Sequence, residues 1–165
     1  MSRSHALIAL GSNLGDSGTT LRAAVAQISA MSGSEILRVS RLFATTPVGG
    51  PDQPDFLNAA ALITTQLSAA DLLEKLHEIE NHHGRVRDIR WGPRTLDLDL
   101  IDVEGFSSDS ADLLVPHPRA CERQFVLQPL CDVAPNWQIA GASVSSLVTA
   151  SEEVRVVEDF GWSGV

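Results

Sequence analysis

The sequence predicts an α+β fold built on a ferredoxin-like βαββαβ core with a C-terminal extension, and three observations carry that expectation. Short apolar runs alternate with segments of helical period. They follow one another as strand, helix, strand, strand, helix, strand. Gly, Pro or a capping side chain stands at most of their ends. In such a core two helices cover one face of an antiparallel sheet and leave the other free for a site. A length of 165 residues suits one domain, expected to occupy 1–165.

The run Ala6 to Leu10 reads as a buried strand that stops at the turn Gly11-Ser12-Asn13. Leu21, Val25 and Ile28 recur at i, i+4, i+7 after the capping residues Asp16 and Ser17, so a helix is expected to about Met31, before Gly33. Glu35 to Ala44 reads as extended chain, ended by Thr45-Thr46-Pro47-Val48-Gly49-Gly50-Pro51. Phe56 to Leu67 is apolar and β-branched, and Ser68-Ala69-Ala70-Asp71 is a capping-box signature for a helix carrying Leu72, Leu76 and Ile79 on one face. Gly84 lies beyond that helix, and Thr95 to Val103 alternates leucine with aspartate as a half-buried strand does. Further on, Val115-Pro116-His117-Pro118 is a loop, a helix is expected over Ala120 to Cys131, and short elements over 143–151 and 154–157.

The hydrophobic share of 44% and charged share of 20% are those of a globular protein rather than a disordered one. No apolar stretch reaches the ~18 residues of a membrane span, and Arg3 and His5 lead straight into a short apolar run without a signal-peptide core. The expected location is the cytoplasm, with no membrane partner. Cys121 and Cys131 lack metal or redox spacing and are expected as buried thiols. A net charge of −9 speaks against a nucleic-acid partner. Within that acidic chain Arg85, Arg87, Arg90 and Arg94 place four of the twelve basic residues close together, which points to a local anion site.

Asp97 and Asp99 fall on one face of their strand, roughly 6.5–7 Å apart at Cα, with Leu96, Leu98 and Leu100 on the other. Two close carboxylates repel unless they share a cation, and hard divalent ions bridging them to phosphates resolve the conflict. Magnesium is the expected ion. A solvated strand edge gives the same alternation, but the arginines beside the pair, with Trp91 among them, add forked donors for phosphate and an apolar ring. Charge stabilisation of this kind is what phosphoryl transfer requires. Glu80 stands near a helix C-terminus, where the macrodipole disfavours an acid; function and a plain surface position both account for it. Phe56 and Asn58 at i, i+2 offer an aromatic plane and an amide fork on one face, suited to a flat heterocycle. His117 is held between two prolines, while the spacing of His77, His82 and His83 does not suit zinc.

These residues occur as ordered motifs: Thr45-Thr46-Pro47-Val48-Gly49, Asp52 through Ala60, Gly84-Arg85-Val86-Arg87, Arg90-Trp91-Gly92-Pro93-Arg94-Thr95-Leu96-Asp97-Leu98-Asp99-Leu100, and Val115-Pro116-His117 with Arg123 and Phe125. From about Ala6 to Pro135 the chain closely resembles the 6-hydroxymethyl-7,8-dihydropterin pyrophosphokinases. The resemblance implies transfer of pyrophosphate from ATP, the co-substrate, to the pterin hydroxymethyl group, with two Mg2+ ions on Asp97 and Asp99. It implies Arg85 and Arg94 as catalytic arginines, and Glu80, Arg87, Trp91, Leu100, His117 and Arg123 as ATP-binding. Phe56 and Phe125 would sandwich the pterin, with Asn58 and the chain around Thr45, Thr46 and Val48 reading its polar edge. Three positions depart from the family pattern. Phe56 stands where many relatives have tyrosine, only Asp88 and Ile89 separate Arg87 from Arg90, and Pro118 follows the histidine. A monomer is expected. The rival expectations are a non-catalytic nucleotide-binding module of the same fold and an ADP-forming kinase, the latter without a P-loop GxxxxGK[ST].

Overall fold

In the computed structural model residues 2–13, 16–46, 54–83, 96–149 and 153–162 are described. The chain runs β1 (Ser4–Ser12), α1 (Ser17–Ser29), β2 (Ser34–Val39), β3 (Phe43–Thr45), β4 (Phe56–Thr65), α2 (Ala69–His82) and β5 (Asp97–Val103). It continues through β6 (Ser108–Ser110), β7 (Leu113–Val115), a 3-10 turn at Ala120–Glu122, α3 (Gln124–Val133), β8 (Gln138–Ile139), β9 (Ala142–Ser143), α4 (Val144–Leu147) and β10 (Val154–Val156). The main sheet has the order β10-β3-β4-β1-β5, with β2 also on β4, and its pairings are antiparallel. With β2 and β3 taken as one broken strand, this is the ferredoxin-like order.

The larger core lies between the sheet and the first two helices. Ala6, Ile8 and Leu10 of β1, Ala59, Ala61 and Ile63 of β4, and Leu98 and Leu100 of β5 meet Leu21, Val25 and Ile28 of α1 and Leu72, Leu76 and Ile79 of α2. Each large side chain so buried stabilises the fold by about 1.5–3 kcal/mol. The helix starts follow from their caps: Asp16 accepts from Thr19 N at 3.2 Å and Ser68 Oγ from Asp71 N at 3.1 Å. Gly33, at φ 78°, makes the turn from α1 into β2.

Four local expectations are corrected. The two core helices cover one face as expected, but the second face is not left free: α3 covers part of it, where Val126, Leu130 and Val133 pack on Leu7, Ala9, Ala60 and Ile101. Among the described residues, the end of that face at Asn58 and Asp97 lies outside the cluster beneath α3. The strand expected over 35–44 is two strands, because Ser40 bonds β4 through its own side chain. Its Oγ accepts from Ala60 N at 2.8 Å and donates to Arg41 O at 2.7 Å. β1 does not stop before Gly11, since Gly11 pairs with Asn58 on one side and Asp97 on the other. The helix expected over 120–131 is broken at Arg123, whose extended backbone (φ −118°, ψ 107°) separates the 3-10 turn from α3. The short helix α4 and strand β10 fall within the two segments expected near the C-terminus. Among the described residues no helix is long and apolar enough to cross a membrane.

Candidate active site

Alternation and register assemble one row of residues across four strands on the partly uncovered face. Phe43 of β3 pairs with Asn58 of β4, Asn58 with Gly11 of β1, and Gly11 with Asp97 of β5. The next row has Ala60, Ala9 and Asp99, and Phe56 lies on the same face beyond Asn58, opposite Thr45. Gly11, Ala9 and Ala60 thus form a floor of small residues between an amide and two carboxylates. Strands are about 4.8 Å apart, so Asn58 and Asp97 stand roughly 10 Å apart at Cα, about the width of a bicyclic heterocycle with a substituent.

Asn58 is fixed in both position and orientation. It is buried, and its Nδ2 donates to Thr45 Oγ1 at 3.1 Å. That leaves Oδ1 over Gly11, where a Cβ would come within 3.1 Å of it. Glycine at 11 lets the amide approach the strand closely, and a side chain there would have to push Asn58 aside by a few tenths of an ångström. Thr46 follows Thr45 and is exposed.

Among the described strands β5 lies at the end of the sheet, and Glu80 and His117 contact its outer side. Glu80, 2% exposed at the end of α2, accepts from Leu98 N through Oε2 at 2.8 Å. His117 N donates to Ile101 O at 2.7 Å. The acid that the helix dipole disfavours is thus placed to satisfy the amide lying between Asp97 and Asp99. Leu100 lies in the core beneath the helices, so its main chain rather than its side chain is what a ligand on the Asp97 face could meet. Burial first, and the Arg123 guanidinium next, hold His117 below the usual imidazole value; Asp97 pulls the other way and Arg119 adds to the lowering. His117, Arg123 and Asp97 therefore share one electrostatic neighbourhood.

α3 brings the last pieces over the sheet. Phe125, in its first turn, packs against the second-face cluster, and the Arg123 guanidinium lies 5.8 Å from the Phe125 ring centre. The far end of α3 is tied to the β2–β3 break. Arg41 donates from its backbone N, Nε and Nη2 to the Asp132 carboxylate at 2.9, 3.0 and 3.0 Å. This forked geometry is the strong form of an ion pair, and it raises the Arg41 pKa.

Described and brought to this end of the sheet are Thr45, Phe56, Asn58, Asp97, Asp99, His117, Arg123 and Phe125. Val48, Arg85, Arg87, Trp91 and Arg94 lie outside the described residues. Gly11 and Asn13 went unrecognised in the sequence. Gly11-Ser12-Asn13 reads there only as a turn, whereas Asn13, 1% exposed, donates from Nδ2 to Pro54 O at 3.0 Å and ties the end of β1 to the approach to Phe56. A glycine continuing the alternation of an apolar strand was the available signal. Cys121 and Cys131 are free, half-buried thiols.

The donor set suits magnesium. Among the described residues no group of three or more His, Cys, Asp or Glu could enclose an ion. Asp97 and Asp99 are half-exposed on one face. Asp102 on the same strand is instead buried, its pKa raised by that burial, and accepts from Trp137 Nε1 at 2.9 Å. One or two carboxylates completed by water and substrate phosphates is how magnesium is held in kinase-type sites.

Fold and site together define an α+β protein of ferredoxin-like strand order that sets an amide and a carboxylate pair on one face of its sheet. Residues 7–135 match the family described as 7,8-dihydro-6-hydroxymethylpterin-pyrophosphokinase (HPPK), and the chain belongs to that family. It is 45% identical over 151 residues to the 2-amino-4-hydroxy-6-hydroxymethyldihydropteridine pyrophosphokinase of Bacillus subtilis, covering 92% of this chain and 89% of that protein. The Pseudomonas aeruginosa protein of the same description is 42% identical over 132 residues, 80% of this chain and 82% of its own. Among solved structures, Plasmodium falciparum HPPK-DHPS in a triple-mutant form aligns with a TM-score of 0.71 at 14% identity, over 88% of this chain. This chain spans 44% of that longer polypeptide, and the likeness is one of fold.

Proposed function

We infer that the chain transfers a pyrophosphoryl group from ATP to the hydroxymethyl group of 6-hydroxymethyl-7,8-dihydropterin, giving AMP and the pterin diphosphate in folate biosynthesis. The observation that carries this reading is the row Asn58, Gly11, Asp97, which sets an amide for the heterocycle and a carboxylate pair for the phosphates on one small-residue floor. Asn58 Oδ1 takes a ring N–H, its orientation held by Thr45. Phe56 and Phe125 flank the ring plane, and the chain at Thr45, Thr46 and Val48 meets its polar edge.

Asp97 and Asp99 hold two Mg2+ ions with ATP. Bound there, magnesium neutralises phosphate charge and fixes the chain of phosphates. The pterin hydroxymethyl oxygen attacks the β-phosphorus, the bond from that phosphorus to the α–β bridging oxygen breaks, AMP leaves with that oxygen, and the hydroxyl proton passes to solvent. Arg85 and Arg94 stabilise the transferred charge, while Glu80, Arg87, Trp91, Leu100, His117 and Arg123 form the nucleotide side. The chain works as one domain and as a monomer in the cytoplasm. The test is incubation with Mg-ATP and the hydroxymethyl-dihydropterin, with nucleotides separated by chromatography. AMP dependent on the pterin is expected; ADP, or nucleotide binding without AMP, refutes the reading.

A further inference from the structure

We propose that the C-terminal strand β10, acting through Arg155, is a positioning element for the heterocycle side of the site. The segment lies outside the residues 7–135 that match the family, and it is built onto the strand that carries Thr45. Val154 pairs with Thr45, Arg155 with Ala44 and Val156 with Phe43. Without β10, the three-residue β3 would be a sheet edge with its outer amides and carbonyls unpaired. The chain then continues along the same edge. Val157 N donates to Leu42 O at 2.8 Å, Trp162 Nε1 donates to Ser40 O at 2.8 Å, and Gly161 O accepts from Arg22 Nε of α1 at 2.9 Å. The Arg22 guanidinium lies 4.2 Å from the Phe160 ring centre, which fixes the far end of the strap to the first helix.

Arg155 closes the near end. Its guanidinium forms an ion pair with Asp55, the residue before Phe56. Register puts Arg155 and Ala44 on the face opposite Thr45 and Asn58, so the pair crosses behind β3 and joins its outer neighbour to the start of β4. β3 is thereby clamped between β10 and β4 where Thr45 orients Asn58 and where Phe56 presents its ring. The described contacts of this circuit run to Thr45, Ser40, Leu42, Asp55 and α1, so the clamp bears on the heterocycle side.

The proposal rests on the pterin reading given above, and steady-state kinetics separate the two. Arg155→Ala and Arg155→Glu are expected to raise the KM for the pterin about two- to fivefold, the range of an exposed ion pair, and leave the KM for ATP and kcat near wild type. The exchange Asp55→Arg with Arg155→Asp is expected to restore it. Because the pair is exposed, added salt should raise the wild-type pterin KM toward that of Arg155→Ala and leave the variant unmoved. A wild-type protein that forms no AMP overturns the pterin reading itself. An active wild type whose pterin KM is unchanged in Arg155→Ala and Arg155→Glu overturns the clamp. So does an equal rise in both substrate KM values that the charge exchange does not restore.

Discussion

Replacing Glu80 by alanine removes the acceptor that Leu98 N uses at 2.8 Å, at a position 2% exposed. A buried amide left without a partner costs about 1–3 kcal/mol, and the hollow left by the missing carboxylate adds to that loss. At about 2–4 °C per kcal/mol for a chain of this size, the melting temperature should fall by roughly 2–12 °C. Glu80→Gln keeps an oxygen of the same reach and should recover most of the difference. The freed amide lies between Asp97 and Asp99, so kcat should fall further in Glu80→Ala than in Glu80→Gln, even well below the melting transition. Thermal unfolding by circular dichroism, with initial rates of AMP formation at 25 °C, gives both quantities. The reasoning is refuted if the alanine variant melts with wild type, or if the glutamine and alanine variants are equally impaired.

Gly11→Ala would bring a Cβ within 3.1 Å of Asn58 Oδ1, and such overpacking costs about 1–3 kcal/mol; the KM for the pterin should rise in steady-state assays while that for ATP changes little. Asp132→Ala removes the fork from Arg41, whose side chain is 63% exposed, so the loss should be held to about 1 kcal/mol, read as a fall of a few degrees in melting temperature. His83 is held below the imidazole value of 6.5 by burial and then by His82. The folded chain therefore binds fewer protons than the unfolded one just below pH 6.5, so stability is full above that pH and falls as pH drops toward the folded value. Melting temperatures from about pH 7.5 to about pH 5.5 should show this acid limb, and His83→Gln should flatten it.

Much of the fold was legible because each element carries a local signal. The caps Asp16 and Ser68 and the apolar spacing of α1 and α2 are short-range features, and both helices form where they predict. The alternation of Leu96, Leu98 and Leu100 with Asp97 and Asp99 put the carboxylates on one face before any partner strand was known. What failed depended on distant partners. The strand over 35–44 breaks because Ser40 bonds Ala60, twenty residues on, and the second face is partly covered because α3 folds back onto β4.

The sequence by itself determined the strand-and-helix order, the pairing of carboxylates on β5 and the shared face of Asn58 and Phe56, since period and capping are properties of neighbouring residues. Only the tertiary structure decided that Gly11 separates Asn58 from Asp97, that Glu80 satisfies the edge of β5 rather than standing at the surface, and that Arg155 reaches Asp55. Each of these depends on strand register and helix docking across long stretches of chain. Register is fixed by which faces must be buried together, and one sequence segment read alone does not contain its partner.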